Sequence, residues 1–367
     1  MKIICLQENL KTSLNIAQNV VSRNLTLPIL NNVLLETENG RLKVSSTNLE
    51  IGINTWTSGK IEKTGAITCP AKTLTTFINS LPNKKIELEV KGDNLSIKCE
   101  TFKASIKGLP ADDFPLIPKL KERPIFSFKN NEIFKNDLAQ VIGAAAASES
   151  RPEISGIFFS LDKEAVKIVG TDGFRLAEKT IRQNNGPASP LSFIVPQRTI
   201  QELIRILSEK GGQEMNMVLG SSQILFDMGD VQLISRLIDG QYPDYQQIIP
   251  KGFETKATVL KDEFTNNVRI ASIFSSKVND IQLTLKDSKI EFSAQDADLG
   301  ENKSQLEAQI QGKGVQMSFN FRYLLDGLSN IPTKQVFVGL NAENSPAILK
   351  PVGDDSFLYV IMPIKTA

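Results

Sequence analysis

Three turn residues, Asn48, Asp172 and Asp296, stand at an even spacing of 124 positions in a chain of 367 residues. Each closes an alternating strand and opens a second one, in "GRLKVSSTNLEIGI", "EAVKIVGTDGFRLAE" and "SKIEFSAQDADLGEN". Equal spacing over so long a distance means one unit of roughly 120 residues used three times, a usual size for a domain. In the middle copy, Asp172-Gly173 between alternating runs predicts a hairpin of type I′, which needs φ > 0 at both central positions.

Other features recur in the same order. A helical pattern precedes each hairpin, with Leu10, Leu14 and Ala17, then Phe134, Leu138 and Val141, then Phe264, Val268 and Ala271 on one face. A second helix follows each hairpin, and Pro70 and Pro196 stand at the start of two of them, where a missing N–H costs nothing. Alternating strands then complete each unit. Proline marks the joints, at Pro110, Pro115, Pro118 and Pro124, and again at Pro243 and Pro250. The predicted fold is α+β: three repeated domains at 1–120, 125–247 and 250–367, each with two helices on antiparallel sheets of roughly eight strands. Sheet edges left free at the two ends are templates for pairing, and two chains joined end to end could pair both edges and close a ring of six domains, a geometric hypothesis and not a deduction.

Composition narrows the chemistry. The chain has no histidine, which removes Ser-His, Cys-His and His-metal sites. Cys5, Cys69 and Cys99 form no C-x-x-C pair and read as buried, inert thiols. No phosphate-binding glycine motif occurs, and no metal or other cofactor is expected. The carboxylate pairs Asp112-Asp113 and Asp354-Asp355 lie in turn-rich stretches and read as solvated turns, so catalysis is not expected. The apolar run in "MKIICLQENL" is short for a signal peptide, and no run approaches a membrane span, so a cytoplasmic protein is expected.

The net charge of +1 gives no global attraction to nucleic acid. Local sorting does better. The six helical windows (8–23, 70–85, 131–151, 196–210, 261–277 and 320–334) hold 15 basic and 9 acidic residues. A surface built from them is basic and suits phosphates without reading sequence. Arg23, Lys72, Arg198, Arg205, Arg269 and Lys277 are its candidate phosphate contacts.

At this point the repeats meet a known family. "LTLPILNNVLLE", "LPADDFP", "SRPEISGIFF", "TDGFRLA", "SRLIDGQYPDY" and "YVIMPIK", in order along the whole chain, resemble the bacterial sliding clamps, the beta subunits of DNA polymerase III. The resemblance implies a head-to-tail homodimer whose ring encircles duplex DNA. Such a ring does no chemistry. It tethers the replicative polymerase catalytic subunit for processive replication, and a clamp loader ATPase opens it. Repair and translesion polymerases and other clients dock through short hydrophobic peptides.

The positions matching that docking pocket are Arg151, Ile154, Thr171, Gly173, Phe174, Arg175, Leu176, Pro243, Gln247, Ile248, Asn320, Tyr323, Pro346, Val360, Ile361, Met362, Pro363 and Ile364. Leu176, Ile248, Val360 and Met362 suit an apolar cleft, and Arg175 and Asn320 suit a peptide's polar atoms. The resemblance places the dimer contact at Ala104 and Ile106 of the first unit and Ile273 and Phe274 of the third, with Ile106 and Phe274 as apolar anchors. The chain departs from the family pattern at Phe174, where histidine is common, and at Gln247, where arginine is frequent. Phe174 predicts a wider, drier pocket wall. The ending "PIKTA" runs slightly past the usual stop. Two other readings share the repeat argument: a three-repeat binding scaffold that never closes, and an enzyme built on one of the carboxylate pairs.

Overall fold

The computed structural model describes residues 1–21, 26–148, 150–183, 186–342 and 344–365. Seven α-helices are present among them: α1 (Gln7–Gln18), α2 (Ala71–Ser80), α3 (Asn131–Ile142), the single turn α4 (Pro152–Ser155), α5 (Gln197–Glu209), α6 (Lys261–Ser272) and α7 (Phe321–Ser329). Strands number eight, eight and nine in the three repeats, all in antiparallel pairs. Each second helix starts directly from a strand. Pro70 and Pro196 hold the residue before α2 and α5, and in the third repeat Asn320 takes that place, its side chain accepting from the Arg322 N–H at 2.9 Å.

The predicted helix faces are core. Leu10, Leu14, Ala17, Phe134, Leu138, Val141, Phe264, Val268 and Ala271 are all fully buried. In the first repeat, α1 and α2 pack on each other and on the sheet above Ile3, Val33, Leu42, Val44, Leu88 and Ile97. Removing each such side chain from water contributes about 2 kcal/mol, which fixes the helix faces against the sheet. Cys5, Cys69 and Cys99 are free thiols inside that cluster, and burial pushes Cys5 and Cys69 up to about 12.

The chain divides into two compact units, and the middle repeat is shared between them. Met1–Lys135 with Arg198–Leu237 carry a 12-stranded sheet, in which strand Ile51–Lys63 of the first repeat pairs with strand Val231–Arg236 of the second. Asn136–Gln197 with Ile238–Ala367 carry a nine-stranded sheet, in which strand Arg175–Arg182 of the second repeat pairs with strand Phe357–Ile361 of the third. A four-stranded sheet in the same unit completes the third repeat. Each long sheet therefore runs through one junction between repeats.

The three Asx residues do the same work. Asn48 Oδ1 accepts from the N–H groups of Glu50 and Ile51, Asp172 Oδ1 from Phe174 and Arg175, and Asp296 Oδ1 from Asp298 and Leu299. That bonding corrects the predicted turn. Asp172 flanks the loop instead of occupying its centre. The Asp172 N–H donates to the Arg175 carbonyl, the central pair is Gly173-Phe174, and of these only Gly173 has φ > 0, at +89°. With φ > 0 at one central position only, the turn is not type I′.

Candidate docking site, sheet edges and charged helices

In the unit that carries the nine-stranded sheet, the hairpin Ala165–Thr171/Arg175–Arg182 lies against Phe357–Ile361, with Leu176 opposite Val360 and Arg175 opposite Ile361. The Met362 N–H donates to the Phe174 carbonyl at 2.8 Å, and the Ile364 N–H donates to the Ser318 carbonyl at 2.8 Å. These bonds draw Thr171–Leu176, Val360–Ile364 and the strand ending at Asn320 into one place. Ile348, two residues after Pro346, pairs with Val360. Ile154 joins the same apolar cluster as Leu176, Val360, Tyr242 and Tyr245, and Ile249 packs on it beside Ile248. Arg151 comes near Gly173, and its guanidinium pairs with Glu153 at 3.3 Å.

The predicted pocket residues thus come together, but they divide into a floor and a rim. Ile154, Leu176, Val360 and Ile361 are buried and form the floor; Leu176 and Val360 are core residues and not open walls, because the linker side chains Tyr242 and Tyr245 cover the sheet around them. Tyr242 stacks on Phe158 at 4.6 Å, and the Tyr245 hydroxyl donates to the buried Glu178 carboxylate. The rim is apolar and open. The Phe174 side chain is 63% exposed, Ile248 and Pro243 are exposed, and Met362, Pro363, Ile364 and Pro346 are half-buried.

Two polar expectations need correction. Arg175 is not free to meet a peptide. Its guanidinium pairs with Asp172 at 3.0 Å and with Asp326 of α7, lies 3.5 Å from the Tyr359 hydroxyl, and sits 4.5 Å over the Tyr323 ring. Burial opposes its charge, yet Tyr359, Asp326 and Asp172 together raise its pKa above the ordinary arginine value. It is a strut between the second and third repeats. Asn320 is occupied as the cap of α7, and Thr171 Oγ1 donates to the Arg175 carbonyl inside the turn. Gln247 donates to Asp244 at 2.7 Å.

The dimer expectation also shifts. Strand Phe102–Lys107 is a terminal strand of the 12-stranded sheet, and Gly300–Glu307 is a terminal strand of the four-stranded sheet. Ile106 is only 8% exposed and belongs to the core of the first repeat, so it is no anchor. Alternation told which face it points to, but not that the face is covered. Ala104 is half-buried. Phe102 is 50% exposed and Ile273 is 63% exposed, with Val278 and Leu299 also open, while Phe274 is half-buried beside Gly300. The edges differ in charge. "FKASIK" carries Lys103 and Lys107 and no acid; "GENKSQLE" carries Glu301 and Glu307 against one lysine, Lys303, with Lys303 paired with Glu291 at 3.0 Å and Glu307 with Lys289 at 3.8 Å, and Asp296 and Asp298 precede it.

The basic excess of the helical windows does not lie on the helices. Within the six long helices, eight basic residues meet eight acidic ones. The windows reach past the helix ends, and the surplus comes from flanking residues such as Lys84, Lys85, Lys210 and Lys334. Arg205 is engaged within the fold, with Glu202 and Glu209 each at 2.9 Å and the Ile16 carbonyl at 2.8 Å, which removes it from the phosphate candidates. Arg23 lies outside the described residues. Lys72, Arg198, Arg269 and Lys277 are exposed. Lys72 and Arg198 are both the second residue of their helix, and α7 has Arg322 there, also exposed, which the sequence reading missed. The repeat spacing was the signal that identified it.

Three repeats with free sheet edges, an exposed apolar rim and exposed cations at one repeated helix position fit the class of processivity clamps. The carboxylate pairs fit that reading. Asp112 and Asp113 are exposed in a 3₁₀ turn, and Asp354 accepts from the Ser356 N–H in another turn. Family models for the N-terminal, central and C-terminal domains of the DNA polymerase III beta subunit match residues 1–118, 129–244 and 246–365. A beta sliding clamp of Synechococcus elongatus is 30% identical, covering 100% of this chain and 99% of the relative. Crystal structures of a DNA polymerase III beta subunit from Pseudomonas aeruginosa (29% identity, TM-score 0.95) and of a sliding clamp from Bartonella birtlesii bound to griselimycin (30% identity, TM-score 0.94) each superpose over 100% of both chains. The chain belongs to the beta sliding clamp family. It is a DNA sliding clamp that gives DNA polymerase III processivity in replication, with no catalysis of its own, and DNA and polymerase are its partners.

Proposed function

We propose that two copies close into a ring head to tail, the edge strand Phe102–Lys107 of one copy pairing with Gly300–Glu307 of the other. The observation that carries this reading is the pair of free edges of opposite charge. A basic edge meeting an acidic one gains from both contacts, whereas two like edges repel. Phe102 and Ile273 are the exposed apolar anchors, with Ala104 and Phe274 beside them. Phe102→Asp with Ile273→Asp is expected to sediment as single 40.5 kDa chains, where the unaltered protein sediments at twice that mass. A double variant that stays dimeric rejects the assignment.

The ring encircles duplex DNA in the cytoplasm and holds phosphates through Lys72, Arg198, Arg322, Arg269 and Lys277. Its domains are 1–120, 125–247 and 250–367, limits within four residues of the matched family segments. The rim of Phe174, Pro243, Ile248, Met362 and Ile364 docks short apolar peptides of the polymerase catalytic subunit, the clamp loader ATPase, and repair and translesion polymerases. Phe174 gives this rim a phenyl face where a histidine would keep water. Phe174→His is expected to weaken an apolar peptide about fivefold, the value of a lost aromatic contact near 1 kcal/mol. Unchanged affinity removes Phe174 from the rim's function.

A further inference from the structure

We infer that the first junction between repeats holds a second peptide-docking pocket, built by the same rules as the rim at the second junction. The construction is repeated bond for bond. Thr47 Oγ1 donates to the Ile51 carbonyl and accepts from the Leu49 N–H, as Thr171 Oγ1 does with the Arg175 carbonyl and the Gly173 N–H. Gly52 stands opposite Ile234 across the junction, as Leu176 stands opposite Val360. A proline-rich linker then crosses each sheet, and Ile117 and Leu120 pack on Val218, Leu225 and Ile234 where Tyr242 and Tyr245 cover the other.

The two junctions differ where a ligand would be chosen. Gly52 has no side chain in the place of Leu176, and the Ile117 side chain of the linker lies over it instead. Beside that contact, between the hairpin, the linker and strand Val231–Arg236, a cavity of about 190 Å³ remains. A volume of roughly 150 Å³ holds a benzene ring, so this cavity has room for a single leucyl or phenyl side chain, against apolar walls of Ile51, Ile117 and Ile234 that alternate with Thr47, Gln223 and Ser235. Leu49 borders its mouth with φ at +77°, a conformation that Gly173 adopts freely in the other copy, and its side chain is exposed there. Arg236 and Glu50 also line the cavity, and the Arg236 N–H donates to the Glu50 carbonyl at 2.9 Å. Both side chains are exposed, and among the described residues no carboxylate, that of Glu50 included, lies within ion-pair distance of the Arg236 guanidinium.

The occupant is therefore a peptide segment of a client protein with one bulky apolar side chain and a carboxylate close behind it. The cavity takes the side chain and Arg236 takes the charge. The inference rests on the docking reading of the second junction for its logic, and isoleucine methyl NMR separates the two. Ile51, Ile117 and Ile234 report the first junction; Ile154, Ile248 and Ile364 report the second.

N-acetyl-leucine titrated into the full-length protein is expected to shift the Ile51, Ile117 and Ile234 methyls. Arg236→Glu is expected to weaken that binding about tenfold, and so is replacing the probe by N-acetyl-leucine methylamide, a change in the ligand that leaves the protein intact. Shifts confined to Ile154, Ile248 and Ile364, or no shift, or equal binding of the acid and the methylamide, each overturn the inference. The first of these leaves the second-junction reading standing.

Discussion

The first and second helices of each repeat are built alike for the core and oppositely for charge. Both bury an apolar stripe. The first helices open on acids: Glu8 in α1, Glu132 in α3, and Asp262 and Glu263 in α6. These carboxylates complement the partial positive charge at a helix N-terminus. The second helices have no acid in the first turn and place Lys72, Arg198 and Arg322 there instead. A cation at that end is unfavourable by about 0.3–1 kcal/mol. Three repeats accept the same cost at the same position, which supports the proposal that the N-termini of the second helices face the DNA, in addition to Arg269 and Lys277 at and just past the far end of α6.

The largest effect to expect follows from that difference. The triple variant Lys72→Gln, Arg198→Gln, Arg322→Gln should reduce the slope of log K against log salt for duplex DNA by about 3, roughly one unit per lost phosphate contact. Lys11→Gln with Lys135→Gln, on first helices, should leave the slope alone. If both sets act equally, the two helix classes do not differ in function. A smaller effect sharpens the same comparison in stability. Lys72→Glu should raise stability by about 0.5 kcal/mol while weakening DNA binding, and Asp262→Lys should lower it by a similar amount with DNA binding kept. Urea midpoints read both. Same-sign shifts in stability would show that the helix ends do not control the effect.

Much of the fold was legible because the repeat is strict. The spacing of Asn48, Asp172 and Asp296 located three hairpins, and apolar periodicity located every core face of the first helices. The misreadings have local causes. Asp172-Gly173 looked like the centre of a turn because sequence does not say which residue the Asp side chain caps. The helical windows looked basic because they ran past the last hydrogen-bonded turn into flanking lysines. Ile106 is named as an anchor by its place in the family pattern, which does not say what covers that position in this chain. Arg175 looked like a ligand group because Asp326 and Tyr359, which hold it, lie 151 and 184 residues further on. The positions matched to the family pocket lie together in the fold, while their division into floor and rim depends on Tyr242 and Tyr245 covering the sheet.

The central claim is that the chain holds DNA by enclosing it. Its most direct measurement is retention on duplex DNA after a clamp loader ATPase has placed the labelled protein on a nicked circle. The account predicts that the protein stays on the closed circle through a high-salt wash and leaves when a restriction enzyme linearises it. Equal release from circular and linear DNA would contradict it.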